Sequence, residues 1–177
     1  MTPPGVIEHP QEARPVRFTE DVWALLPCEW RSHVSDGQVD VLVRIDRVGD
    51  ALGIVEVLFS ADGVAIEAST LREVQFGEIA FEALWNSVYY DDGRGGADEF
   101  PMEPFGGVRD HLQAWAEPSE NGRYRLPDPD GLRMVRAVHR AAALTGLGQP
   151  QKFLMTQLGL PRSTANYWLS QAKKLEA

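Results

Sequence analysis

Residues 162–174 read Arg-Ser-Thr-Ala-Asn-Tyr-Trp-Leu-Ser-Gln-Ala-Lys-Lys, a run rich in side chains that donate or accept hydrogen bonds. Wound as a helix at about 100° per residue, it separates into two faces. Ala165, Trp168, Ala172 and Leu175 fall on one, at spacings suited to packing on a neighbouring helix with Leu160 and Leu169. Arg162, Ser163, Asn166, Tyr167, Ser170, Lys173 and Lys174 fall on the other. Arg pairs with guanine through two parallel hydrogen bonds, Asn does the same with adenine, Ser serves several bases, and Tyr or Lys reaches phosphate. A helix with such a face fits the major groove of double-stranded DNA, reading bases near its N-terminus, where free backbone amides also favour a phosphate. Thr164, Gln151 and Lys152 complete the set of candidate DNA contacts.

A reading helix needs a partner helix set at a fixed angle, and the residues before it supply one. Helix 151–158 is expected to end at Gly159, whose tolerance of positive φ allows a tight bend into Leu160-Pro161 and the helix from Arg162 to Leu175. An earlier helix is expected to start at Asp128 as cap with Pro129 in the first position, to run to about Leu144 and to stop at Gly146. Its apolar stripe is Leu132, Val135, Val138 or His139, and Ala142, while Arg133, Arg136 and Arg140 share another face. His139 has no second ligand nearby and reads as a packing residue.

The segment from Gly159 to Leu169 resembles the turn and recognition helix of the resolvase/invertase-type helix-turn-helix (HTH). More broadly, Leu126 to Lys174 resembles the C-terminal part of helix-turn-helix proteins of actinobacteria and their phages and mobile elements. The shared features are His139-Arg140-Ala141-Ala142 and a linker from Gly146 to Gln149 before Pro150, with a fainter likeness over residues 69–84. The resemblance implies DNA binding in gene regulation or mobile-element maintenance. Met155 stands where such motifs usually carry a small Ala, and Ala165 where they often carry Val or Ile. A larger residue in one helix is expected to compensate for the smaller one in its neighbour. Resolvases carry a similar C-terminal module, but their Tyr, Ser and Arg catalytic chemistry has no counterpart in this N-terminal part.

Upstream, the expected fold is α+β. Residues 1–17 hold four of the twelve prolines and read as an irregular leader. Phe18 to Trp30 is expected to begin with a short helix capped by Thr19 and stopped by Pro27. Residues 39–46, 52–59 and 64–68 alternate or are rich in β-branched residues and are separated by Gly49-Asp50 and Ala61-Asp62-Gly63, which predicts a three-stranded antiparallel β-meander. Apolar residues at 76, 80, 81, 84 and 88 predict a helix covering that sheet. Residues 91–99 form an acidic loop without the ligand ladder of a calcium site, Val108 to Ala116 a short helix, and residues 118–130 a Pro- and Gly-rich connection. The expected organisation is a leader (1–17), an acidic α+β domain (18–117), a linker (118–127) and a three-helix HTH domain (128–177).

Charge is divided along the chain. The net charge is −9, yet the last fifty residues hold seven Lys and Arg against three Asp and Glu, a balance of +4, and the preceding 127 carry −13. That asymmetry predicts a basic binding module joined to an acidic one with a possible protein partner of its own. No run of about 20 apolar residues and no signal-peptide pattern occurs, so a cytoplasmic protein without membrane association is expected. Cys28, the single cysteine, has no metal-binding company and reads as packing. Asp40, Asp46, Glu56 and Glu67 read as the solvated half of alternating strands, and no nucleophilic, phosphate-loop or metal-ligand signature is present. The expectation is therefore a DNA-binding regulator or mobile-element accessory factor, not an enzyme, with no cofactor and no metal. A homodimer is expected, because useful specificity normally needs two half-sites about 34 Å apart. The competing reading is a protein-docking adaptor that uses the HTH as its contact surface.

Overall fold

Val39, Val41, Val43 and Ile45 turn inward and Asp40 and Arg44 outward along β5 (Val39–Val48), and this two-residue period fixes the register of the first sheet. The structure, a computed structural model, describes residues 5–34, 39–63, 65–93, 103–146 and 150–176. After the turn at Gly49-Asp50, β6 (Ala51–Ser60) pairs antiparallel with β5, with a bulge where Arg44 passes to Ile45. The third strand is not the expected segment after Gly63. Val64 lies outside the described residues, Ala65 to Glu67 form no strand, and Ala68 opens α1 (Ala68–Glu73). Instead β4 (Cys28–Val34) flanks β5 on its other side, and β1 (Val6–Glu8) pairs with β4, giving the order β1-β4-β5-β6.

A second antiparallel sheet has the order β2-β3-β7-β8, from β2 (Arg14–Arg17), β3 (Val22–Leu26), β7 (Val88–Tyr90) and β8 (Glu103–Pro104). Two expectations are corrected here. Residues 18–30 hold β3 and the start of β4 rather than a helix: Val22, Trp23, Ala24 and Leu26 are buried between two neighbouring strands, and a short apolar run buried on both faces carries no periodicity to mark it as a strand. Thr19 caps no helix; its hydroxyl donates to Asp21 within the turn between β2 and β3. The supposed leader contributes β1 and β2, both edge strands, where Pro15 of β2 is tolerated because an edge residue needs a backbone donor on one side at most.

Helices cover these sheets. In α2 (Phe76–Asn86) the buried face is Ile79, Ala83, Leu84 and Trp85; Phe76, expected inside, is half exposed and meets Phe59 edge to face, and Val88 belongs to β7. α3 (Phe105–Ala116) buries Phe105, Val108, Leu112 and Ala116. Residues 94–99 of the expected acidic loop lie outside the described residues. Asp91, at its start, accepts hydrogen bonds from the Trp23 indole and from the amide of Gly93.

α4 (Pro129–Thr145) has the predicted ends: the Asp128 carboxylate accepts from the Gly131 amide at 2.8 Å, Pro129 stands at the first position, and Gly146 ends the helix with φ 61°. Leu132, Val135, Val138 and Ala142 are buried as expected, joined by Ala137 and Ala141. α5 (Pro150–Leu158) and α6 (Arg162–Lys173) follow, and a short 3-10 turn (Lys174–Glu176) extends α6; Gly148 and Gln149 are outside the described residues. The fold is thus α+β, with one apolar cluster running from the strands through α2 and α3 into α4, α5 and α6. Trp85 of α2 stacks on Phe153 of α5 with ring centroids 4.4 Å apart, so the segments before and after residues 118–127 share a core. Cys28 is wholly buried, and burial pushes its thiol up from 9.0 to about 12, consistent with packing. Among the described residues no helix is long and apolar enough to cross a membrane.

Candidate nucleic-acid interface

Gly159 adopts φ 66°, a left-handed conformation that turns the chain out of α5, and buried Leu160 anchors the bend before α6 begins at Arg162. Ala165, Trp168, Leu169 and Ala172 seat α6 on α4 and α5, with Trp168 fully buried. A Trp in such a position contributes about 3–5 kcal/mol relative to Ala and fixes the rotation of the helix. That rotation leaves Arg162, Ser163, Asn166, Tyr167, Ser170 and Lys173 exposed along a face about 18 Å long. Lys174 is exposed beyond the helix end, and Thr164 is half-buried. Pro161 precedes the first turn and places no side-chain hydrogen bond on its amides. No acidic residue occurs in the sequence between Asp130 and Glu176, and among the described residues Arg162, Lys152 and Lys173 form no ion pair. The surface of α6 is therefore cationic, polar and unobstructed by its own fold.

The other expected contacts are placed differently. Gln151 is half-buried, and its amide nitrogen is closed to water without a partner. Lys152 is exposed but lines a cleft against α2, opposite Glu78 and Glu82. Leu175, expected to pack, is 42% exposed, because α6 has given way to the tighter 3-10 turn, which rotates the side chain off the helical stripe. The volume compensation between Met155 and Ala165 is also absent: Met155 is 38% exposed, while Ala165 is fully buried.

The arginines of α4 have a different use. Arg136 reaches Glu20 at 2.9 Å and Asp21 at 3.1 Å, and Arg140 reaches both at 2.9 Å. The Asp21 side chain is 5% exposed, Arg136 13% and Arg140 22%. Burial works against the charge on Arg140, but hydrogen bonds to Asp21 and Glu20 outweigh it and hold its pKa above the ordinary value. Arg133 pairs with Asp130 one helical turn away. These arginines contributed three of the seven positive charges in the last fifty residues, and two of them fasten α4 to the turn before β3. The sequence signal was their four-residue spacing on one face; nothing local named Glu20 and Asp21 as partners.

The acidic residues of the strands are spent on the outer face of the first sheet. Asp40 pairs with His33, Glu56 with Arg44, and Glu29 with both Arg31 and Arg44. Among the described residues no group of three or more His, Cys, Asp or Glu side chains is arranged to hold a metal ion. Comparison of the chain with protein-family models, with curated proteins and with solved structures returned no match.

Proposed function

We propose that the protein binds double-stranded DNA sequence-specifically, with α5 and α6 acting as a helix-turn-helix and α6 entering the major groove, in the service of transcription regulation or of a phage or mobile element. The observation that carries the reading is the two-sidedness of α6. One side is locked by Trp168 and its neighbours, and the other presents Arg162, Ser163, Asn166, Tyr167, Ser170 and Lys173 to solvent with no acidic side chain on the helix. Arg162, Ser163 and Asn166 stand at the N-terminal end, where base edges are read, and Lys173 and Lys174 at the far end, suited to phosphate. The resemblance of residues 159–169 to a resolvase-type turn and reading helix points the same way. A homodimer would set two such helices on neighbouring half-sites.

Selection from a random duplex library with the full chain tests this directly. The expected result is a short motif, enriched over input and lost when Arg162 and Asn166 are replaced by Ala. A library that stays unenriched, together with no retarded complex at low ionic strength, would end the proposal.

A further inference from the structure

Between α2 and α5 lies an open cleft of about 620 Å3, with Glu78, Phe81 and Glu82 on one wall and Lys152, Thr156 and Gln157 on the other. Its inner end continues into a smaller pocket of about 80 Å3 that shares Phe81, Glu82 and Gln157 and is bounded by Trp85, Phe105 and Phe153. Lys152 on one wall faces Glu78 and Glu82 on the other. Glu82 accepts from the Asn86 amide at 3.3 Å, whereas Lys152 forms no ion pair among the described residues. The Thr156 hydroxyl already donates to the Lys152 carbonyl at 2.7 Å, so the donors left on the α5 wall are the Lys152 ammonium and the Gln157 amide. A second observation marks the inner end. Trp85, 6% exposed, lines it beside Phe105 and Phe153 and gives it an aromatic wall.

We propose that this cleft binds a small zwitterion of amino-acid size. The ligand ammonium lies on the Glu78 and Glu82 wall, its carboxylate on Lys152 and Gln157, and its side chain runs past Phe81 toward the aromatic end formed by Trp85, Phe105 and Phe153. Carboxylates alone would suit any cation, and a lone lysine any anion; opposed walls with an aromatic end between them select a molecule carrying both charges and a side chain. Because α5 leads through Gly159 into α6, occupancy here is placed to act on the proposed DNA-reading helix. That consequence rests on the DNA-binding reading, whereas occupancy itself does not.

Calorimetric titration of the full chain with the common L-amino acids, each beside its decarboxylated amine and its N-acetylated form, tests the proposal without DNA. One or a few amino acids should bind, and each single-charge analogue should bind at least about tenfold more weakly, since each lacks one charge-assisted contact. Glu82→Gln and Lys152→Met, both checked for unchanged circular dichroism, should each weaken binding by a similar factor. Glu78→Gln serves in place of Glu82→Gln if the latter misfolds. The proposal is overturned if no amino acid binds, if an amine or N-acetyl analogue binds as well as its parent, or if binding survives substitution on both walls.

Discussion

α4 and α6 are both amphipathic helices with a basic polar face, and the fold treats those faces in opposite ways. On α4, Arg136 and Arg140 are turned inward onto Glu20 and Asp21 and serve as fasteners. On α6, Arg162 and Lys173 stand in solvent with no ion pair among the described residues. Counting charge along the chain therefore overstates what a polyanion would meet, because a buried guanidinium with carboxylates on it attracts little from outside. What separates the two helices is their surroundings: α4 is flanked by strands β3 and β7 and by the acidic turn before β3, whereas α6 contacts mainly α4 and α5.

The largest effect should come from breaking the α4 side of this contrast. Asp21→Ala would take from Arg136 and Arg140, both mostly buried, the more buried of the two carboxylates they share. Removing one member of such a buried set costs about 3–5 kcal/mol, because the desolvated charges that remain are then poorly compensated. A urea denaturation midpoint falling accordingly, with the slope unchanged, would agree. The DNA affinity of the protein still folded should not move. An unchanged midpoint would mean that the ion pairs are incidental to the joining of the two segments.

Legibility in the sequence followed the same division between local and long-range causes. α4 was readable because its ends are written locally, in Asp128, Pro129 and Gly146. The two faces of α6 were readable from periodicity alone, and β5 and β6 from alternation around Gly49-Asp50. β3 was not, because the run Val22 to Leu26 is apolar throughout and takes its identity from β2 and β7. β2 was hidden by Pro15, which only an edge position excuses, β1 by its length of three residues, and the third strand, β4, by Ser32, a polar residue on its buried side. The cleft between α2 and α5 brings together residues more than sixty positions apart, which no window along the chain can show.

On the α6 side, the effects should appear in binding and not in folding. Arg162→Ala and Asn166→Ala should each weaken binding to the selected site by about 1–3 kcal/mol and relax the preference at one base pair, measured by competition against single-base variants of that site. Lys173→Ala should weaken all sequences alike. The salt dependence sharpens the point: with Arg136 and Arg140 engaged inside the fold, log affinity against log salt should fall with a slope of about −3 to −4 per protomer, for three or four neutralised phosphates, and Lys173→Ala should reduce it by about 1. A slope near seven charges per protomer would show that the α4 arginines leave their carboxylates on DNA.

Gly159→Ala probes the bend between α5 and α6. At φ 66° nothing lies within 4 Å of where a Cβ would stand, so the cost is conformational and not steric, about 1 kcal/mol by thermal unfolding. If the helix-turn-helix reading holds, DNA binding should suffer more than stability, since a small change of bend re-aims the whole outward face of α6.

The smallest effect closes the contrast on α4. Glu20 touches the same two arginines as Asp21, at comparable distances, but its side chain is 59% exposed. Water already solvates most of that carboxylate, and the entropy of holding a long side chain in place offsets part of the attraction. Glu20→Ala should therefore cost less than about 1 kcal/mol and lose even that at high salt, while the cost of Asp21→Ala persists there. Equal costs for the two substitutions would show that burial does not govern this junction, and would remove the reason for treating the basic faces of α4 and α6 as different in kind.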